Sequence, residues 1–144
     1  MKFTGIRVAM AALCMLAVAG ARTRADDESK ADSKKLAAQT EKLLEAYNKD
    51  DVKAFYKGWA SSVASIANEM TYDALYKNGA KKTVGEYTAK TLKFRKEGSV
   101  LTGDILVVYF DCEFSKEKEG QIAVNFQKEE GEYKFMQVQM SKKN

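Results

Sequence analysis

The sequence predicts an α+β domain in which N-terminal helices pack on one face of a four-stranded antiparallel meander sheet. Two observations carry that reading. From about residue 35 to residue 77 the apolar residues recur at three- and four-residue spacing, and from Thr83 onward they recur at every second residue. Proline is absent from all 144 residues, so glycine, asparagine and aspartate must mark the turns, and they cluster where the period breaks.

Three helices are expected first. Asp32 or Ser33 caps a helix whose Leu36, Thr40, Leu43, Leu44 and Tyr47 form one stripe, closed by Asn48-Lys49-Asp50. Asp50 or Asp51 caps a second run through Val52, Phe55, Tyr56, Trp59, Ala60, Val63, Ile66, Ala67 and Met70, which Gly58 and Ser61-Ser62 can divide. Thr71 caps a third, Tyr72 to about Lys77, which Asn78-Gly79 closes.

Four strands follow. Glu86 to Lys96 reads as the first, with Glu97-Gly98 as its turn. Ile105 to Phe114 is the clearest, with Leu106, Val108, Phe110, Cys112 and Phe114 on the core face. Glu119-Gly120 turns into Gln121 to Gln127, with Ile122, Val124 and Phe126 on one side. Glu130-Gly131 is a hairpin turn into Tyr133 to Met140, where Met136, Val138 and Met140 share a face.

Met1 to Ala25 reads as a secretory signal. Lys2 and Arg7 precede an apolar run, Val8 to Val18, too short to span a bilayer, and cleavage sites follow Ala21 and Ala25. Residues 26–34 are a polar leader, and 35–141 form one domain with no repeat. Cys14 lies inside the apolar run, so no lipid anchor is expected, and the product is periplasmic or extracellular without a membrane anchor. Cleavage after Ala25 removes Lys2, Arg7, Arg22 and Arg24 and leaves 20 basic against 20 acidic residues. That balance gives no reason to expect nucleic acid as a partner. Cys112 is then the sole thiol and reads as a buried free cysteine.

The order of three helices and four strands resembles the nuclear transport factor 2-like, or cystatin-like, superfamily, and within it small exported bacterial domains of unknown function. The residues that carry the likeness are Asp50-Asp51-Val52-Lys53-Ala54-Phe55-Tyr56, Trp59, Thr71, Gly85, the block Gly103 to Asp111 and Gly131-Glu132-Tyr133-Lys134-Phe135. The resemblance implies a cone whose mouth binds small molecules in some relatives. Ketosteroid isomerases and polyketide cyclases among them use an aspartate or histidine base in an apolar pocket. Other relatives serve only in binding or assembly, and many dimerise through the outer sheet face.

Histidine is absent, which removes histidine-based triads, and one thiol cannot build a cysteine-rich metal centre; no metal or cofactor is expected. The best acids are Asp111 and Glu113, yet both alternate with the core-facing residues and so point away from a pocket. Glu69 and Asp73 suit the dipole of the third helix. Tyr56 and Trp59 lie on a helical stripe with hydrogen-bonding tips and are the candidate ligand-binding pair. Ile105, Val107 and Tyr109 oppose the core face of their strand and need cover, which makes them the candidate homodimer interface. The expected function is an exported, non-enzymatic domain for a small apolar ligand or a partner protein. The alternatives are an isomerase- or cyclase-like enzyme with Asp111 as the first residue to test, and a structural homodimer without a cavity.

Overall fold

Helix α1 occupies residues 33–48 and buries Leu36, Thr40, Leu43, Leu44 and Tyr47, the stripe that three- and four-residue spacing forecasts. The computed structural model describes residues 33–144, and Leu36–Asn144 fold as one compact unit. The signal, the Asp32 cap and the leader as far as residue 32 lie outside the described residues; residues 33 and 34, assigned to the leader, are already helical.

The end of α1 shows why the chain turns there. Asp51 N–H donates to Ala46 O at 3.0 Å and Asp50 N–H to Tyr47 O at 3.2 Å, the paired bonds of a Schellman closure. Asp50 takes the left-handed position, φ 53°, that glycine usually fills. Its carboxylate accepts from Lys81 Nζ at 2.7 Å and from Tyr72 Oη at 2.9 Å, while Tyr72 Oη also reaches Tyr47 O and Lys81 Nζ reaches Asn48 O. Partial burial pushes the Asp50 carboxyl up, but the hydrogen bonds and charge of Lys81 and the Tyr72 hydroxyl outweigh it and hold it below the usual range. A depressed folded pKa stabilises the fold above the unfolded value, and that contribution drains away as pH falls through the folded one. Asp50→Asn should therefore be less stable than the parent at neutral pH and converge with it as pH falls below the ordinary carboxylate range, which urea titrations across pH would show.

Asp51 then caps the second helix, its side chain accepting from Ala54 N–H at 3.1 Å. That helix, α2, is only Val52–Tyr56, and the run to Met70 is divided where Gly58 and Ser61-Ser62 allow a break. Gly58 weakens it, and the backbone at 58–60 finds a better partner: Phe135 N–H donates to Gly58 O and Ala60 N–H to Phe135 O, a parallel bridge beside the sheet. A 3₁₀ turn follows at Ser61–Val63. Ile66 and Met70, assigned to the apolar stripe, are exposed.

Helix α3 begins as α-helix at Glu69–Tyr72, widens to π-helix over Asp73–Ala80 and returns to α at Lys81–Thr83. Its cap is Asn68, whose side chain accepts from Thr71 N–H at 2.9 Å; Thr71 itself is inside the helix. Asn78-Gly79 does not close it. The wide turn bonds Lys81 N–H to Tyr76 O, five residues back, and keeps both Tyr72 and Tyr76 buried.

The sheet is an antiparallel meander in the order β1–β2–β3–β4: Lys93–Thr102, Ile105–Cys112, Gly120–Glu129 and Glu132–Lys142. Helices precede strands, and the helices pack on the face formed by Val108, Phe110, Cys112, Ile122, Val124, Phe126, Phe135, Val138 and Met140. The first strand starts seven residues later than its pattern suggests. Lys90 takes φ 63° and breaks the extended run, and Tyr87 instead pairs its backbone N–H and C=O with the Asn48 side chain at 2.8 and 2.7 Å. Residues 97 and 98 are not a turn but part of a bulge that adds three residues to β1 opposite β2, where Ser99 Oγ donates to Arg95 O and accepts from Tyr109 N–H. A second bulge lies between the Asn125 and Phe126 pairings of β3 with β4. It shifts the alternation so that Phe135 is buried and Met136 only half-buried, against the assignment of Met136 to the face of Val138 and Met140.

Candidate functional site

Between helices and sheet the space is filled with aromatic rings. Phe55 stands at the centre, its ring centroid 4.6 Å from Tyr76, 5.0 Å from Tyr72, 5.1 Å from Tyr56 and 5.7 Å from Trp59, and the array continues through Phe135 to Phe126. The buried hydroxyls are committed to the fold. Tyr47 donates to Gly85 O at 2.7 Å, Tyr76 to Val138 O at 2.9 Å and Tyr72 to the end of α1. Burial raises the pKa of all three phenols, so none supplies a proton acceptor near neutrality. Tyr87 is buried too, its hydroxyl donating to Glu41 Oε2, and among the described residues the one other buried residue with a hydroxyl is Thr40, which donates to Leu36 O at 2.8 Å; no carboxylate is buried.

The structure brings Tyr56 and Trp59 together, with ring centroids 4.9 Å apart, but does not aim them at a common cavity. Trp59 Nε1 donates to Phe55 O at 2.8 Å, the ordinary partner one helical turn back. Tyr56 lines a groove of about 760 Å³ with Val52, Ala54, Lys57, Ala67 and Glu69. Its hydroxyl is buried without a hydrogen-bond partner, hence shut off from anything held in that groove, and burial raises its pKa. What Tyr56 offers the groove is ring surface.

Asp111 sits on the sheet face away from the helices. It is gripped between Lys143 Nζ at 3.1 Å and Arg95 Nη1 at 3.5 Å, a third exposed, beside a groove of about 640 Å³ that also takes in Lys93, Glu113, Lys118 and Glu119. Both its oxygens are taken up by cations on a partly solvated surface, which is not the enclosed pocket in which a proton-abstracting base meets its substrate. Cys112 beside it points into the core, a free thiol pushed up to about 12 by burial first and then by the Asp111 and Glu113 charges. That thiol is unreactive. Among the described residues no group of histidine, cysteine and acidic side chains is arranged to hold a metal ion, and no helix is long and apolar enough to cross a membrane.

The outer face itself has an unusual composition. Register and alternation put Ile105, Val107, Tyr109 and Asp111 of β2 outward, with Gln121, Ala123, Asn125 and Gln127 of β3 and Gln137, Gln139 and Ser141 of β4. Asp111 is the only charged residue of these eleven, in a chain of which 31% is charged, and the other charges that register puts on this face, Lys93 and Arg95 of β1, Glu129 of β3 and Glu132 and Lys134 of β4, stand at its margins. Arg95 of β1 lies over the Tyr109 ring at 5.0 Å and donates to Gln121 Oε1 at 2.7 Å, which ties down the charge nearest the patch. At the other end Gln127 and Glu129 are occupied by Ser62 and Ser61, so the open part runs from Val107 and Tyr109 across Ala123 and Asn125 to the exposed Gln137 and Gln139. No family model, curated protein or solved structure matches this chain. The site therefore has to be read from its own geometry.

The sequence pattern points to Ile105, Val107 and Tyr109, which the structure leaves half-buried on one strand. It misses their neighbours on β3 and β4. The signal is present in the sequence as alternate positions filled by glutamine, asparagine, alanine and serine where a solvated strand would carry lysine and glutamate.

Proposed function

We propose that this is an exported, non-enzymatic interaction domain of nuclear transport factor 2-like build, which docks a protein partner on the outer face of β2, β3 and β4. Depletion of charge distinguishes the core of an interface from ordinary surface, and that face is the observation that carries the reading. The helix-first order and the meander support the family reading, and the Met1–Ala25 composition supports export. The rings around Phe55 take up the space where such cones hold ligands, and an isomerase- or cyclase-like reading finds no inward carboxylate among the described residues.

Native mass spectrometry of the protein isolated from its own envelope tests this. The wild type is expected to carry a protein-sized added mass, its own or another's, that Val107→Lys lacks. An adduct of a few hundred daltons retained by Val107→Lys would instead establish a small-ligand function, with the groove beside Tyr56 as its place. The same spectra give the mature N-terminus and so decide between cleavage after Ala21 and after Ala25.

A further inference from the structure

We infer that the free edge of β1 takes up a short extended segment of a partner protein, in which acidic and apolar residues alternate, as an added antiparallel strand. This surface is separate from the outer face and does not depend on what that face docks. On one side Lys93–Thr102 pairs with β2, and among the described residues no backbone pairs with its other side. The opposite margin of the sheet is closed in part, since the edge of β4 is met at Phe135 by the backbone of Gly58 and Ala60. An unpaired strand edge is a template for another strand.

Register decides which backbone groups stand open. Tyr109 N–H faces β1, where it donates to Ser99 Oγ, so the β1 residues opposite Tyr109, Asp111 and Val107 turn their own groups toward β2. Those residues are Arg95, Lys93 and Val100. Phe94 and Leu101 alternate with them and turn N–H and C=O outward. The side chains of these two lie on the core face, opposite Phe110 and Leu106, yet both are exposed, and no described side chain of β1 belongs to the buried core. A strand laid along Phe94 gains backbone hydrogen bonds and apolar cover at one position. The bulge between Arg95 and Val100 bends the edge, so the segment is confined to the Phe94 side and Leu101 stays open.

Charge selects what the edge accepts. Residues 90–102 carry Lys90, Lys93, Arg95 and Lys96 against Glu97 alone. Asp111 and Gln121 occupy Arg95, whereas Lys90, Lys93 and Lys96 are exposed and reach no carboxylate among the described residues. In an antiparallel strand the residue opposite Phe94 shares its face, and the residues on either side of that one share the face of Lys93 and Arg95. An apolar residue thus meets Phe94 and an acid meets Lys93. A second copy of β1 brings the same excess of positive charge and is repelled.

The probe is a synthetic peptide of about seven residues, glutamate alternating with valine and blocked at both ends, added to the isotopically labelled mature chain and read by nuclear magnetic resonance. It should shift the Phe94 amide, which gains a partner, and leave the Leu101 amide in place. Lysine in place of the glutamates should weaken binding about tenfold at about 20 mM salt, and the gap should narrow by about 500 mM. Methyl groups on the valine amides, which pair with Phe94, should abolish binding, whereas methyl groups on the glutamate amides, turned away, should not. Lys93→Glu combined with Lys96→Glu should reverse the preference between the two peptides. Phe94→Pro removes the outward N–H, leaves the ladder to β2 its bonds and should lose the peptide; if circular dichroism shows that it loses its fold, the methylated peptides make the same test. Val107→Lys should bind as the wild type does, and a peptide lost there sits on the outer face, which overturns the edge site. Equal binding of glutamate and lysine peptides, or of the two methylated ones, overturns it as well. A Phe94 amide already engaged in the chain alone overturns it in favour of a second copy if the engagement depends on concentration, and of the chain's own residues before 33 if it does not.

Discussion

Phe55→Ala is expected to cost about 3–5 kcal/mol, the upper range for removing a buried ring, and to leave a protein close to its limit, because domains of this size hold only about 5–15 kcal/mol in all. Phe55 is 1% exposed and touches four other rings that come from α2, from the segment after it and from α3. Its neighbours cannot close over the hole. Tyr72 is tethered through its hydroxyl to the end of α1, Tyr76 to the middle of β4, and Trp59 through Nε1 to the carbonyl of residue 55 itself. Urea unfolding should show a lower midpoint at unchanged slope. Phe94→Ala is the control: that ring is 41% exposed at the sheet margin and meets one aromatic, Phe110, so its loss should cost about 1 kcal/mol or less. Equal losses at the two positions would mean that the ring array is not the centre of the core.

The same array explains which parts of the fold were legible in the sequence. The α1 stripe and the alternation of β2 and β3 were readable because each element is regular and meets the core along its whole length, so local period and burial agree. The segment from Tyr56 to Asn68 was not. Its apolar residues match a helical period, yet Ala60 is buried beside β4 while Ile66 is exposed, because the chain leaves helix at Tyr56 to pair with Phe135. Gly58 and Ser61-Ser62 mark where the run can break, but the long-range backbone bond to Phe135 that breaks it leaves no trace in the spacing of residues 57–70. The π-helix was hidden for a related reason. Asn78-Gly79 is a stop signal on its own, but Tyr76 must reach Val138 O, and the widened turn is what lets Tyr72 and Tyr76 both face inward. In the outer strands Lys90 and the Asn48 bonds of Tyr87 delayed β1, a bulge carried it through the expected turn at 97 and 98, and a second bulge exchanged Met136 for Phe135. For the site, side-chain chemistry was legible and direction was not. Tyr56 and Trp59 do meet, but Trp59 spends its indole N–H on the backbone and the Tyr56 hydroxyl is enclosed. The alternation on β2 did place Asp111 outward, where it binds Arg95 and Lys143.

Gly85→Ala is the second substitution with a large expected cost, about 2–4 kcal/mol, and it separates three contributions that meet at one residue. Gly85 has φ 87°, where a Cβ costs about 1–2 kcal/mol by itself. That Cβ would also run into Ser115 Oγ and lie 3.1 Å from Lys116 N. Neither neighbour yields freely: Lys116 N–H donates to Val84 O, Ser115 N–H to Glu86 O, and Ser115 Oγ accepts from Glu86 N–H, so the two segments are laced on both sides of the glycine. The third contribution is the Gly85 carbonyl, which accepts from the buried Tyr47 hydroxyl at 2.7 Å and ties this crossing to α1. Gly103→Ala isolates the first contribution, since its φ is 60° and a Cβ there meets nothing within 4 Å; it should cost about 1 kcal/mol. Tyr47→Phe isolates the third. If Gly85→Ala already displaces the carbonyl, combining it with Tyr47→Phe should cost less than the two separately by about 1 kcal/mol, whereas strict additivity would place the whole penalty in the backbone and the Ser115 contact.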